Sequence, residues 1–480
     1  MMRKTNKTTN NLKRVLSRAA MISALLIGFQ GLVLPVYAES LRAAMGMAYS
    51  NNPELRGERA RQRATDEAVP QALSGWRPTV EANGDYGSDF IKSRTRIYDP
   101  VTDTTNKVTI KDNRDNGGFV ISLNQPIFSG FKTVNSTKQA EASVDAGRQI
   151  LLSVEQSVLL DAVSAFMDVI RDRSIVGLRL KNVEALREQL RASQARFDVG
   201  EITRTDVAQS KARLAEAESF LAVSRANRAA SEAFYTRVIG HKPKKLANPK
   251  GTLGKLPRTL KSALAMAESL NPNILAAAYS EEASRFAVEV SKGDLLPELS
   301  LSAQYGMRHQ PSSLITTREA GAIFGNLRIP LYQGGAVYSR VREAKQTNNQ
   351  RRMEILDARR IVRQNVVTAW YTISASDEAA VSANEQVKAN ELAYSGVKQE
   401  NLVGSRTTLD VLNAEQELVD ARVSAVLARR EQVVSRYSLI ASVGKLTADY
   451  LSLGVEKYNP QYNYDRVRDK LFGTDIVESD

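Results

Sequence analysis

The chain has 480 residues, 42% of them hydrophobic and 25% charged, with a formal net charge of +13; this is room for more than one domain at an ordinary composition. It has no cysteine and only two histidines, His241 and His309, which excludes disulfides and thiolate metal sites and leaves little material for histidine-based zinc or catalytic chemistry. Beyond the N-terminus no run of about 20 apolar residues occurs, which excludes a helical membrane protein but not a membrane barrel, whose strands alternate.

Residues 1–38 read as a secretory signal. Arg3, Lys4, Lys7, Lys13, Arg14 and Arg18 form a basic start without an acid, Ala19 to Val36 is mostly apolar, and Val36-Tyr37-Ala38 is a small-x-small cleavage site before Glu39. Its removal leaves 60 basic against 53 acidic residues, a net +7. Over so long a chain that is no nucleic-acid footprint, and the charges interleave as on solvated helix faces. Without cysteine there is no N-terminal lipid anchor, so any membrane attachment comes from the protein itself.

A helical stretch is predicted over 40–75, broken near its start by Asn52-Pro53. Thr79–Gly87 then alternates, with Val80, Ala82, Gly84 and Tyr86 against Glu81, Asn83 and Asp85. The polar segment between Gly87 and Gly117 is expected to be an extracellular loop. A second alternating strand follows, with Phe119, Ile121 and Leu123 against Ser122 and Asn124, bounded by Pro126. Strands of about nine residues with one apolar and one polar face fit a barrel wall and equally an ordinary half-buried hairpin. From Phe131 to Arg196 the period is helical without a proline, which is about 100 Å of helix at 1.5 Å per residue. The chain turns at Gly200 and returns as a helix over 203–238. There Val207, Leu214 and Leu221 recur every seventh residue, with Ser210, Ala217, Ser224 and Ser231 between. Small seam residues let many helices lie side by side in a wall.

All of this is then repeated. An offset of 219 pairs Leu41 with Leu260, Asn52-Pro53 with Asn271-Pro272, Pro78 with Pro297 and Tyr86-Gly87 with Tyr305-Gly306. An offset of 204 pairs Pro126 with Pro330, Gly130 with Gly334, Val199-Gly200 with Val403-Gly404, Asp206-Val207 with Asp410-Val411 and Gly240 with Gly444, so the first copy carries a 15-residue insertion. Such matching marks a duplication: residues 39–243 form the first repeat, 244–445 the second, and 446–480 a C-terminal tail, packed at its start and loose by its end. The second copy has its own helical stretch (259–294), strands (298–306 and 323–329), long helix (337–400) and returning helix (407–442).

Four strands cannot close a barrel, and lipid does not tolerate an open sheet edge, so closure requires several chains. Two chains supply eight strands and three supply twelve; the physics favours an oligomer without choosing between them.

The turns Arg-Phe-Asp-Val-Gly-Glu-Ile-Thr-Arg-Thr-Asp-Val (196–207) and Val-Gly-Ser-Arg-Thr-Thr-Leu-Asp-Val-Leu-Asn-Ala (403–414) resemble the two periplasmic turns of the TolC-like outer-membrane efflux family, and the resemblance extends over the duplication and the strands. It implies a mainly α fold with a membrane β-barrel: a homotrimer with four β-strands per chain and long helical hairpins forming an α-barrel. The implied function is an outer-membrane channel of a tripartite efflux or type I secretion system, the helical barrel standing in the periplasm. Implied partners are outer-membrane lipid, a periplasmic adaptor and an inner-membrane pump of RND or ABC type, with no nucleic acid, cofactor or enzymatic activity. Residue by residue it implies a periplasmic gate: Arg406 matches a latch arginine, Thr205 and Asp206 its partners, and Asp410 an acidic ring. Two positions depart from the pattern. Asn401 replaces the gate tyrosine and Asn413 a second ring aspartate, leaving three ring carboxylates in a trimer rather than six. The turns at Gly200, Thr203, Gly404 and Thr407 are implied as adaptor-docking points. Their plain reading is that the glycines end helices and the threonines cap them, and Asp410 also admits a purely structural role. The alternative function is a periplasmic adaptor, which would carry one hairpin rather than two.

Overall fold

The computed structural model describes residues 38–249, 251–312 and 314–476; apart from Ala38, the predicted export signal lies outside the described residues. The helical stretch expected over 40–75 is divided into α1 (Leu41–Asn51), α2 (Pro53–Asp66) and α3 (Ala68–Leu73), ending in a single 3₁₀ turn. Strands β1 (Thr79–Asp99) and β2 (Thr104–Ser129) form a hairpin, followed by α4 (Lys132–Asp198) and its return α5 (Arg204–Ile239). The second copy runs in the same order: α6 (Leu260–Leu270), α7 (Pro272–Gly293), β3 (Glu298–Ser312), β4 (Ile315–Arg328), α8 (Ala336–Leu402) and α9 (Thr408–Ser442). A short α10 (Pro460–Val467) lies in the tail.

The Asn-Pro dipeptides do more than break a pattern. Asn52 ends α1 and caps α2, its Oδ1 accepting from the Glu54 and Leu55 amides at 2.9 and 3.3 Å. Pro53, with no N–H to leave unsatisfied, fills the first helical position. The remaining Asn52 Nδ2 donates to the carbonyl of Val238 at 3.0 Å, near the end of α5. Asn271 repeats this: it caps α7 through the Asn273 amide at 3.0 Å and donates to Ser442 O at 2.9 Å. Val238 and Ser442 are themselves separated by the repeat offset of 204. Each buried asparagine therefore ties the entry of its copy to the exit.

Around these ties lies the main core. Met45, Leu159, Phe166, Tyr235, Ile239, Tyr437, Ile440, Leu446 and Leu451 are all buried in one cluster, drawing on α1, the middle of α4, the ends of α5 and α9, and the start of the tail. The most apolar part of α4 is accounted for by this belt. The tail is packed further along than expected. Its α10 is fixed by Asn463 Nδ2 donating to Asp66 Oδ2 at 2.8 Å, and Arg468 reaches Glu141 at 3.1 Å.

Away from the belt the helices pack side by side. α4 packs on α5, α9 and α7, and α8 packs on α9, α7 and α6. The heptad's small positions Ser210, Ala217, Ser224 and Ser231 are buried, and hydroxyl pairs cross two seams: Ser193 with Ser210 at 3.1 Å and Ser376 with Ser435 at 3.0 Å. Large apolar residues remain bare on the outer helices, among them Val223 of α5 and Tyr371, Val381 and Leu392 of α8.

The four strands form one antiparallel sheet in the order β1-β2-β3-β4, the two copies being joined by β2 and β3. Its register places Val80, Leu123 and Ala303 in one row and Ala82, Ile121, Tyr305 and Gly321 in the next, on one apolar face. Glu81, Ser122 and Gln304 lie on the other. Among the described residues no second layer covers either face, and β1 and β4 each leave an edge unpaired.

Three expectations are corrected here. The strands are longer than nine residues, at 21, 26, 15 and 14, and the segment from Gly87 to Gly117 is not a loop: β1 and β2 stay paired to Asp99↔Thr104. The tip is built on Asp99, whose carboxylate accepts from the Val101 amide and the Thr102 hydroxyl, both at 2.9 Å. Nor does Pro126 end its strand; β2 continues to Ser129 with a register shift between Pro126 and Phe128. It lies past the last β1 pair, Thr79↔Asn124, where a missing N–H costs no ladder bond on that side.

Asn52→Ala and Asn271→Ala are each expected to lower stability by about 1–3 kcal/mol, losing a cap and a buried hydrogen bond together. Asn→Asp at either position keeps the cap acceptor and is expected to fall between. Denaturant midpoints measure this; unchanged midpoints for both alanine variants would remove the asparagine ties as a stabilising device.

Candidate functional site

The two hairpin tips lie at the end of the helices remote from the sheet and are built alike. α4 ends with Gly200 at φ +84° and α8 with Gly404 at φ +80°. The bonds Gly200 N–Phe197 O (2.9 Å) and Glu201 N–Arg196 O (2.9 Å) recur as Gly404 N–Asn401 O and Ser405 N–Glu400 O, both 3.0 Å. This is the left-handed closure that a Cβ disfavours. Three residues on, each return helix opens with a reciprocal cap. Thr203 accepts from the Asp206 amide at 3.3 Å while Asp206 Oδ2 accepts from the Thr203 amide at 2.9 Å and its hydroxyl at 2.7 Å. Thr407 and Asp410 repeat the arrangement at 3.2, 2.9 and 2.8 Å.

These bonds hold both carboxyls below the usual range: chiefly the Thr203 hydroxyl for Asp206, and the Thr407 amide followed by its hydroxyl for Asp410. With the folded value depressed, the caps contribute at neutral pH and weaken as pH falls through that value. Asp410 therefore has a structural role at this turn.

The other implied gate residues divide. Arg406 is engaged within its own hairpin, its Nε donating to Glu400 Oε2 at 2.9 Å, and Asn401 Nδ2 donates to the Arg406 carbonyl at 2.8 Å. Within one chain Arg406 does not pair with Thr205 or Asp206: Asp206 is taken by Thr203, and Thr205 is exposed on the first turn of α5. Asn413 accepts from Arg213 Nη2 of the first hairpin at 2.8 Å, while Arg213 Nη1 pairs with Glu216 at 2.9 Å. Glu400 and Arg213 were missed by sequence reasoning. Glu400 lies six residues before Arg406 across a turn, and Arg213 meets Asn413 through helix packing that no local pattern encodes.

Between the tips α4 and α8–α9 enclose a cleft of about 420 Å³, lined among others by Arg196, Ile202, Tyr394, Lys398 and Glu415. Burial pushes the Glu415 carboxyl up, partly offset by Lys398. Among the described residues no group of three or more His, Asp or Glu is gathered for a metal.

At the opposite end the polar sheet face carries a row Asp85, Gly118, Arg308, Arg318 across the four strands. Arg308 pairs with Asp85 across β2. Gly118 leaves that path open; a Cβ there would lie 2.6 Å from Met307 O. Where sheet meets helix, Lys132 bridges Asp294 (3.1 Å) and Glu298, and Arg340 joins at Asp294 (3.1 Å).

Thr203→Ala and Thr407→Ala are expected to weaken the first turns of α5 and α9 by about 1 kcal/mol each. Hydrogen exchange over 204–208 and 408–412 should rise about fivefold with the rest unchanged. Unaltered exchange in both segments would show that the boxes do not hold the tips.

A family model described as outer membrane efflux protein matches residues 44–241 and 263–445. The chain is 36% identical over 462 residues to the outer membrane efflux protein BepC of Brucella suis biovar 1 (strain 1330), covering 96% of each. It is 26% identical over 458 residues to the outer membrane protein TolC of Escherichia coli (strain K12), covering 90% of this chain and 87% of that one. Its fold matches the crystal structure of the Campylobacter jejuni CmeC outer membrane channel with a TM-score of 0.75 at 15% identity, over 89% of both chains. The adaptor alternative finds no support in any of these. The duplicated hairpins, the bare four-stranded sheet and these matches place the chain in the outer membrane efflux protein family, as an outer-membrane channel of TolC-type fold with its helical barrel in the periplasm.

Proposed function

We propose that three copies of the chain close into one continuous tube that carries substrates handed over by an inner-membrane pump, of RND or ABC type, through a periplasmic adaptor. The sheet carries this reading: four strands with free edges at β1 and β4, an apolar face with nothing over it and a polar face opposite. Three such sheets give a twelve-stranded barrel, apolar toward lipid and wet within. The bare apolar residues of α5 and α8 supply the matching helical contacts. In this reading residues 1–38 are the export signal, 39–243 and 244–445 the two repeats, and conduction rather than catalysis is the protein's work. The mass of the detergent-extracted oligomer tests the stoichiometry: a trimer is expected, and a monomer or dimer as the sole species would reject it.

The tips form the periplasmic gate and the adaptor-docking surface. The turns at Gly200–Thr203 and Gly404–Thr407 present the same shape twice per chain, and Asp410 contributes one carboxylate per copy to the constriction. Arg406 restrains the inner hairpin with Asn401, while Asn413 is held by Arg213 and leaves the ring with a single acid; Thr205 and Asp206 face the neighbouring hairpin. Arg406→Ser is expected to raise single-channel conductance in planar bilayers with assembly intact. Glu400→Gln reproducing the increase would assign the restraint to the bond within the hairpin; Asp206→Asn reproducing it would assign it to the contact between hairpins. Wild-type conductance for Arg406→Ser would remove Arg406 from the gate.

A further inference from the structure

The β1–β2 hairpin outruns the rest of the sheet. β3 stays paired to β2 only as far as Gly117↔His309, so 88–99 and 104–116 continue as a two-stranded ribbon without a third strand. Its two faces differ sharply. One carries Lys92, Arg94 and Arg96 from β1 and Lys107 and Lys111 from β2, with Lys92 opposite Lys111 and Arg96 opposite Lys107. The sole acid on this face is Asp115, at the base opposite Ser88. The other face holds Asp89, Asp99 and Asp112 together with Ile91, Ile97, Val108 and Ile110, and its one cation, Arg114, is paired with Asp112.

Like charges placed directly opposite each other destabilise a strand pair, so the cationic face brings the isolated ribbon no stability. Among the described residues none of the five cations has an ion pair or hydrogen bond, and all five are exposed. Such a face calls for an external anion.

Strand parity says where that anion sits. Side chains alternate along a strand, so the face that bears Val80, Ala82 and Tyr86 in the barrel is the face that bears Lys92, Arg94 and Arg96 beyond it. On that surface Tyr86, Phe90, Phe119 and Tyr305, with Met307, end the apolar band, as an aromatic girdle does at a membrane interface. Lys92 follows Phe90 by two residues and Arg96 by six, about 7 and 20 Å along the strand and about 5 and 15 Å in height at the usual barrel tilt. The outward face thus turns from apolar to aromatic to cationic over the distance in which a leaflet passes from hydrocarbon to headgroups, and long Lys and Arg stems can reach back across part of it. The hairpin points away from the helical barrel, hence outward from the cell.

We propose that this face binds the phosphate groups of lipid headgroups in the outer leaflet, with Arg94 and Arg96 giving forked contacts and the three lysines point charges. The inference rests on the outer-membrane placement of the sheet and goes beyond the channel function, since conduction does not require it. The opposite, Ile-rich face turns toward the barrel axis, away from lipid.

The test is retention of lipid by the full-length oligomer in detergent, read by native mass spectrometry after exposure to phosphorylated lipid A or to its dephosphorylated form. The phosphorylated form is expected to be retained at least about tenfold better, and high salt is expected to erase the difference. The variant combining Lys92→Gln, Arg94→Gln, Arg96→Gln, Lys107→Gln and Lys111→Gln is expected to lose the preference while still running as a heat-labile oligomer. Equal retention of the two lipids by the wild-type protein would overturn the proposal whether or not the variant folds, as would an assembled variant that keeps the preference, or an affinity for inorganic phosphate without lipid retention. Fractionation of the wild-type chain away from outer membranes would sink the channel reading instead, and is scored separately.

Discussion

A strand at the edge of a sheet carries unpaired N–H and C=O groups, and hydrocarbon offers them no partner. Every large feature of this chain answers to that constraint. β1 and β4 are edges in the single chain, and the pairing of β2 with β3 has used the one internal opportunity to join the two copies. In the proposed assembly the remaining edges are satisfied by other copies of the chain. The same copies must then supply a helical wall of matching circumference, which is why each pair of strands is followed by one long hairpin. In copy one that hairpin is α4–α5 and in copy two α8–α9.

The wall is held by small means. Serine and alanine seams let helices approach closely, and hydroxyl pairs such as Ser193–Ser210 replace the large knobs of a two-stranded coiled coil. Large apolar side chains are concentrated in the belt, where α1, the middle of α4, the exits of α5 and α9 and the tail converge. Asn52 and Asn271 lie at its margin with their donors aimed at Val238 and Ser442. The belt lies about halfway along a hairpin about 100 Å long, far from the tips.

The tips are accordingly closed by short-range chemistry. Each is a glycine in a left-handed conformation, a threonine cap and an aspartate returning the bond. What differs between them is the arginine-bearing side: Arg406 with Glu400 in the second hairpin, and a weaker Arg196–Glu201 pair at 4.0 Å in the first. Asn413 is drawn to Arg213 rather than left toward open space. Two chemically similar tips therefore differ in how their arginines are engaged.

The sequence by itself determined the duplication, the long proline-free helices to within two residues of their ends, the alternating barrel strands and both capped turns. These are local: a 3.6 or 2.0 periodicity, a Gly in a left-handed turn and a Thr three residues before an Asp are written in consecutive residues. Its errors were local too. The segment from Gly87 to Gly117 reads as a loop because its alternation is between charged and β-branched residues rather than polar and apolar. What only the tertiary structure decided were the relations between distant segments. The join of β2 to β3, the reach of Asn52 to Val238, the meeting of Arg213 with Asn413 and the segregation of five cations onto one ribbon face all depend on register and helix packing. Register is fixed by the partner strand and packing by the partner helix, so neither can be read from the residues on one side alone.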